Sequence, residues 1–267
     1  MARRRLKVTR KKWKTEYGMH TAILQYCRMM GFIPLREAVI EKGKGIYRKI
    51  DVVAIKPSRN ILRSRKKDSS PWLSKWIYVC LLFVLPTAPK YLTTKKVSEK
   101  LYNEIKTEVK IKTAGRNLKR LEEWKYVRSK SFRGKKVWWR LRGVTKPVAS
   151  QIIAFEAKKG KISSRIQHVI QQAESILKCA NKVYIMVPPS RNLNKHIDIC
   201  KEKGIGVFLF EDKTQGLEEL LPAKIHKHVD KKSFFGIGEQ VMFQNERVRK
   251  KVCGLIGAHQ GEKLEMK

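Results

Sequence analysis

The chain has 267 residues, enough for one large domain or two small ones. Its 42% hydrophobic fraction supports a packed core and excludes disorder of the whole chain. Against 23 Asp+Glu stand 61 Lys+Arg, a net charge of +38 whose field selects polyanionic partners, nucleic acid foremost. No basic amphipathic helix with aromatic anchors marks a membrane-surface protein, and the longest apolar run, Trp76 to Leu85, is too short to span a bilayer. Cys27, Cys80, Cys179, Cys200 and Cys253 are scattered and odd in number, which disfavours both a zinc site and a disulfide framework. The basic N-terminus has no apolar segment behind it, so it does not read as a signal peptide. A soluble cytoplasmic, nucleoid-associated protein with no membrane partner is predicted.

Residues 1–14 hold eight Lys/Arg and no acid, and read as a flexible basic arm. Met19, Ile23, Tyr26/Cys27 and Met30 form a helical stripe from about Thr15 to Gly31, with Gly31 as the C-cap. Strands are predicted over Ile33–Glu41 and Ile46–Ile55, joined by a turn within Glu41–Gly45 and ended by Lys56-Pro57-Ser58-Arg59. The next core strand starts only near Val148, so 59–147 reads as an insertion.

That insertion carries 25 Lys/Arg against 6 Asp/Glu, half of the net charge of the whole chain. Ser74–Leu85 is apolar and suits a helix, Thr93/Thr94 caps a second helix reaching about Ile105, and Thr113–Trp124 forms a third. Tyr126–Arg128 and Val137–Leu141 then bracket a basic tip, Ser131-Phe132-Arg133-Gly134-Lys135. Three helices and a hairpin with a basic tip resemble a winged helix-turn-helix domain, and Leu118-Lys-Arg-Leu121-Glu-Glu-Trp-Lys-Tyr126-Val is similar to the end of that family's recognition helix. The resemblance implies DNA binding through Lys112, Arg116, Asn117, Lys119 and Arg120 in a groove and through Arg133, Lys135 and Lys136 on the wing.

Ile152-Ile-Ala-Phe-Glu156-Ala157-Lys158 is an apolar strand ending in a carboxylate and an ammonium two positions apart, hence on one side of the strand. Such charges are costly to desolvate unless they pair or do chemistry. Asp51 opens the strand Lys49–Ile55 in the same way. A helix follows over about Ser163–Cys179, bearing Gln167, Gln171 and Gln172, then a strand over Val183–Pro188, a helix near Asn192–Lys203 and a strand over Ile205–Phe210. Beyond Glu211, Leu217–Leu221 reads as a short helix and Gln240–Leu255 as another, giving a helical extension over 212–267. The six histidines show no metal spacing with any acid in the sequence.

Asp51, then Glu156-x-Lys158, then a Gln-bearing helix and a strand resemble the PD-(D/E)XK nuclease superfamily, within it the archaeal Holliday-junction-resolvase and restriction-endonuclease-like group. The resemblance implies an α/β fold: a restriction-endonuclease-like mixed sheet flanked by helices, built from 15–58 and 148–211 and interrupted by the winged-helix (α+β) insert. It further implies that Asp51, Glu156 and the Ala157 carbonyl hold Mg2+, with Mn2+ as a substitute, that Lys158 and Gln172 serve catalysis, and that Glu16 adds a third acid. Glu16 also suits a helix-dipole role near its N-terminus. The activity implied is metal-dependent hydrolysis of phosphodiester bonds in duplex or branched DNA. A junction-selective enzyme that cleaves as a homodimer satisfies the same residues, and the alternative is a DNA-binding regulatory or architectural protein with an inert nuclease fold.

Overall fold

The computed structural model describes residues 5–7, 16–43, 46–68, 70–106, 108–158, 166–190, 193–211 and 216–255. In chain order come β1 (Arg5–Lys7), α1 (Glu16–Met29), β2 (Ile33–Gly43), β3 (Ile46–Pro57) and α2 (Arg59–Asp68). Next are α3 (Trp76–Val84), β4 (Leu92–Thr93), α4 (Thr94–Ile105), α5 (Ile111–Glu123), β5 (Val127–Phe132) and β6 (Lys135–Arg140). β7 (Ala149–Ala157), α6 (Ile166–Ile176), β8 (Lys182–Val187), α7 (Asn194–Lys203), β9 (Gly206–Glu211), β10 (Gly216–Leu221) and α8 (Lys231–Leu255) complete the described chain.

Seven strands form one mixed sheet in the order β1-β10-β9-β8-β7-β3-β2, with helices on both faces. β7, β8 and β9 run parallel and the outer pairings are antiparallel. On one face α1 places Met19, Ala22, Ile23 and Cys27 against Val52, Ala54, Phe155 and Met186. On the other, Val169, Ile170 and Ala173 of α6 and Ile237 and Val241 of α8 pack on Val53, Ile152, Ala154 and Val183. The long edge strand β2 is shielded by α8: the Gln240 side chain accepts from Val39 N–H at 3.0 Å and donates to Val39 C=O at 2.7 Å. This mimics a paired strand and blocks edge-to-edge association there. No helix among the described residues is long and apolar enough to cross a membrane.

Strand alternation slips at Asp51. Ile50, Val53 and Ile55 share one apolar cluster while Val52 and Ala54 belong to the other. With a side-chain period of two, Ile50 and Val53 reach one face only if a residue between them leaves the pleat. The neighbouring strand slips at the same level: Arg36 pairs with Val52, Ala38 with Ile50, and Glu37 between them has a φ of 56°. The paired slip lifts Asp51 out of the two-layer packing at the point where β7 ends.

Residues 59–147 leave the sheet after β3 and return to it at β7, beside the strand they left. They enclose a second apolar core, in which Tyr78, Leu81, Leu101, Leu118, Leu121 and Trp138 meet Phe235 of α8. Ala114, Leu118 and Leu121 form the buried stripe of α5, and the Thr93 side chain caps α4 by accepting from Lys96 N–H. A second sheet, ordered β4-β6-β5, ends in a two-residue loop. Arg133 and Gly134 both take positive φ there, 50° and 71°, as a tight hairpin turn requires.

Several expectations change. α2 lies in a stretch where only Ile61 and Leu62 are apolar, and it is anchored by those two and by Arg65, which stacks 5.1 Å from the Trp72 ring centre and 4.8 Å from that of Tyr126. The expected helix at Leu217–Leu221 is the strand β10, because Leu217 packs into the sheet opposite Phe210 and pairing overrides the helix-forming Leu-Glu-Glu-Leu sequence. The 212–267 region is therefore not purely helical: it supplies β10 between β9 and β1, and its helix begins at Lys231, earlier than Gln240. Within the expected arm, Arg5–Lys7 is a strand paired with Gly216–Glu218, and the rest of residues 1–14 lies outside the described residues.

Candidate active site

The register that sets Val52 opposite Phe155 brings Asp51 to the end of β7, one step further along the same pairing. There the Ala157 N–H donates to Asp51 Oδ2 at 2.8 Å, a contact spanning 106 positions of sequence. Lys158 Nζ stands 3.9 Å from the same oxygen and His20 Nε2, on α1, 4.0 Å from it. Asp51, Glu156, Ala157 and Lys158 are thus brought together from two adjacent strands. The histidine corrects the sequence reading: His20 does neighbour an acid, through a helix-to-strand contact that spacing along the chain conceals.

Glu156 is 2% exposed. Burial, and then the nearby Asp51 charge, push its carboxyl up to about 7, against the pull of Arg48 and Lys158. The strongest partner is one that motif reading missed. Arg48 Nη2 donates to Glu156 Oε1 at 2.7 Å, while Nη1 donates to the Gln172 carbonyl at 2.8 Å and to Ser175 Oγ. One guanidinium therefore ties β3 and β7 to α6. The available signal was the lone cation of Ile46–Ile55 that shares the face of Ile50, visible only once the slip at Asp51 is known.

Gln172 meets this cluster through its backbone carbonyl, and its side-chain Oε1 is buried with no hydrogen-bond partner among the described residues. Glu16 is the first residue of α1, one helical turn before His20; its side chain lies outside the described residues. The described residues hold no group of three or more His, Cys, Asp or Glu placed to hold a metal ion together. Asp51 Oδ1 and Glu156 Oε2 accept no hydrogen bond among the described residues, and carboxylate oxygens are the ligands that a hard divalent cation takes. A cation there would share Glu156 with Arg48.

Lys112, Arg116, Lys119 and Lys135 are exposed and make no ion pair among the described residues. Asn117 is half-buried, and Arg133 lies in the hairpin turn over the Phe132 ring. Two expected contacts are already engaged within the protein. Arg120 donates to Tyr78 Oη at 3.0 Å, and Lys136 pairs with Glu122 at 3.3 Å while lying over Trp138.

Comparison with family models, with curated proteins and with solved structures returned no match.

Proposed function

We propose that the protein is a divalent-metal-dependent DNA endonuclease of the PD-(D/E)XK type. The observation that carries the reading is the meeting of Asp51 with Ala157 and Lys158 across two neighbouring strands, with Glu156 buried beside them. Asp51, Glu156 and the Ala157 carbonyl would hold Mg2+ or Mn2+, hard cations that favour such oxygens. The metal, when bound, supplies polarisation of a phosphoryl oxygen and a more acidic water. Lys158 orients the attacking water and stabilises charge on the phosphorus-centred transition state. Arg48 fixes the Glu156 carboxylate and holds it to α6.

In this reading 59–147 is a winged-helix module. The order α3, β4, α4, α5, β5, β6 supports it, as do the tight basic hairpin and the α5 cations Lys112, Arg116 and Lys119, which make no ion pair among the described residues. Lys112, Arg116 and Lys119 enter the groove, and Arg133 and Lys135 reach the backbone. Branched or junction DNA is the substrate class considered first, with cleavage as a homodimer as one form of it.

The Arg48–Glu156 pair favours a second reading, a DNA-binding regulatory or architectural protein in which a guanidinium stands where the metal would. Thermal melting with and without Mg2+ or Mn2+, beside cleavage of linear, nicked, flapped and four-way DNA, separates the two. The endonuclease reading expects a metal-induced rise in Tm and EDTA-sensitive cutting. Neither signal with any of these substrates would leave the second reading standing.

A further inference from the structure

A cleft of about 950 Å3 opens between α2 and the base of the β5–β6 hairpin, away from the Asp51–Glu156 cluster. Asn60 and Ser64, one helical turn apart on α2, line one wall. Lys125, Arg128, Arg142 and Lys146 line the other, and all four are exposed. None of these four cations makes an ion pair among the described residues. Glu122, the one acid in the lining among the described residues, already accepts from Ser129 Oγ at 2.6 Å and from Lys136 at 3.3 Å. Arg65, at the floor, is committed to Glu239.

Four uncompensated cations around one concavity repel each other, and a concave wall focuses their field on whatever enters. An anion with repeated charge relieves that repulsion better than a single ion. The chemistry also discriminates between nucleic-acid forms. Among the described residues the only aromatic ring in the lining is that of Tyr126, which is 1% exposed, so they offer no platform to unstacked bases. The wall offers ammonium, guanidinium, amide and hydroxyl donors, the set that holds phosphates without reading sequence. We infer that this cleft is a second DNA-contact site, which grips the sugar-phosphate backbone of a duplex flank independently of α5 and the hairpin tip.

The inference rests on the DNA-binding part of the proposed function and not on cleavage. It is tested by fluorescence anisotropy with a labelled duplex in EDTA over a salt series. The full-length wild type is compared with Lys125→Gln/Arg128→Gln/Arg142→Gln/Lys146→Gln and with a control of equal charge loss, Lys195→Gln/Lys201→Gln/Lys224→Gln/Lys227→Gln. All eight positions are exposed, and thermal melting verifies that both variants fold. The cleft variant should lose about tenfold or more in affinity. Its log–log salt slope should fall by about 2, corresponding to two phosphates at roughly 0.9 each, with the control close to wild type. Equal losses in the two variants would overturn the inference and leave the DNA reading intact, since diffuse charge alone would explain them. A wild type that binds no duplex would overturn both.

Discussion

Around the junction of β3, β7 and α6, charged side chains sit beside opposite charges: Arg48 on Glu156 and Lys158 near Asp51. On the surface of 59–147, Lys112, Arg116, Lys119 and Lys135 make no ion pair among the described residues. The contrast follows from solvation. A charge taken out of water needs a compensating partner, whereas an exposed ammonium is stabilised by water and remains available to a phosphate. In the proposed function the paired, largely buried set does chemistry at one point, and the exposed set binds over an area. α8 belongs to both regions, sending Ile237 and Val241 into the sheet core and Phe235 into the core of the insertion.

The sharpest way to break the contrast is to strip the buried set of its partner. Arg48→Met leaves Glu156 deep in the sheet without its closest cation. The carboxyl, already pushed up to about 7, then takes a proton. With the lost hydrogen bonds, the cost should be about 2–4 kcal/mol of unfolding free energy. The double variant Arg48→Met/Glu156→Gln should recover part of that loss, because the glutamine carries no charge to neutralise. Urea denaturation in EDTA at pH 7.5 reads both; a single variant within 1 kcal/mol of wild type would mean that the pair is not compensating a buried charge, and at that size roughly the threshold of an exposed ion pair.

A second test lies where α8 joins the regions. Glu239 is fully buried, pairing with Arg65 at 2.5 Å and accepting from Leu73 N–H at 3.0 Å. Burial nevertheless pushes its carboxyl from the ordinary 4.5 up to about 7, against Arg65 and the Leu73 N–H. Between those values the folded protein keeps a proton that the unfolded chain has lost. Its contribution therefore declines as pH rises through that window, by about 3 kcal/mol in all at 1.36 per unit. Glu239→Gln should remove this slope, so the stability difference between variant and wild type should move in the variant's favour from pH 4.5 to 7. A difference that is flat, or that moves toward the wild type, would mean that the Arg65 pair outweighs burial.

A smaller effect is expected from packing alone. A Cβ on Gly236 would collide with the Trp76 ring, and one on Gly238 would lie 2.8 Å from Val148 Cγ1. Glycine at these positions lets α8 approach α3 and β7 closely. Gly236→Ala should destabilise by about 1–3 kcal/mol through overpacking, despite the better helix propensity of alanine. A neutral result would show that Trp76 can move and that α8 does not clamp the insertion.

Much of this was legible in the sequence because local chemistry agreed with the tertiary outcome. The Thr93 cap, the Ala114–Leu118–Leu121 stripe and the apolar run before Glu156 each specify their element without outside help. The pairing of Asp51 with the end of β7 was readable only through the family pattern, since nothing local spans 106 positions. Arg48 and His20 escaped because a slip in strand alternation and a helix-to-strand approach leave no periodic trace. β10 was misread for a related reason: its leucines and glutamates favour a helix, and only the exposed edge of β9 makes them a strand.

In the proposed function the Asp51–Glu156–Lys158 cluster cuts DNA while a separate basic surface holds it. The most direct measurement sets cleavage against binding for wild type, Asp51→Asn, Glu156→Gln and Lys158→Ala on the branched and linear panel, with Mg2+ for cutting and EDTA for binding. The wild type should cut in an EDTA-sensitive way, each variant should lose 10²-fold or more, and affinities should stay near wild type. Cutting that survives Glu156→Gln, or affinity that falls together with activity in all three variants, would contradict the proposed function.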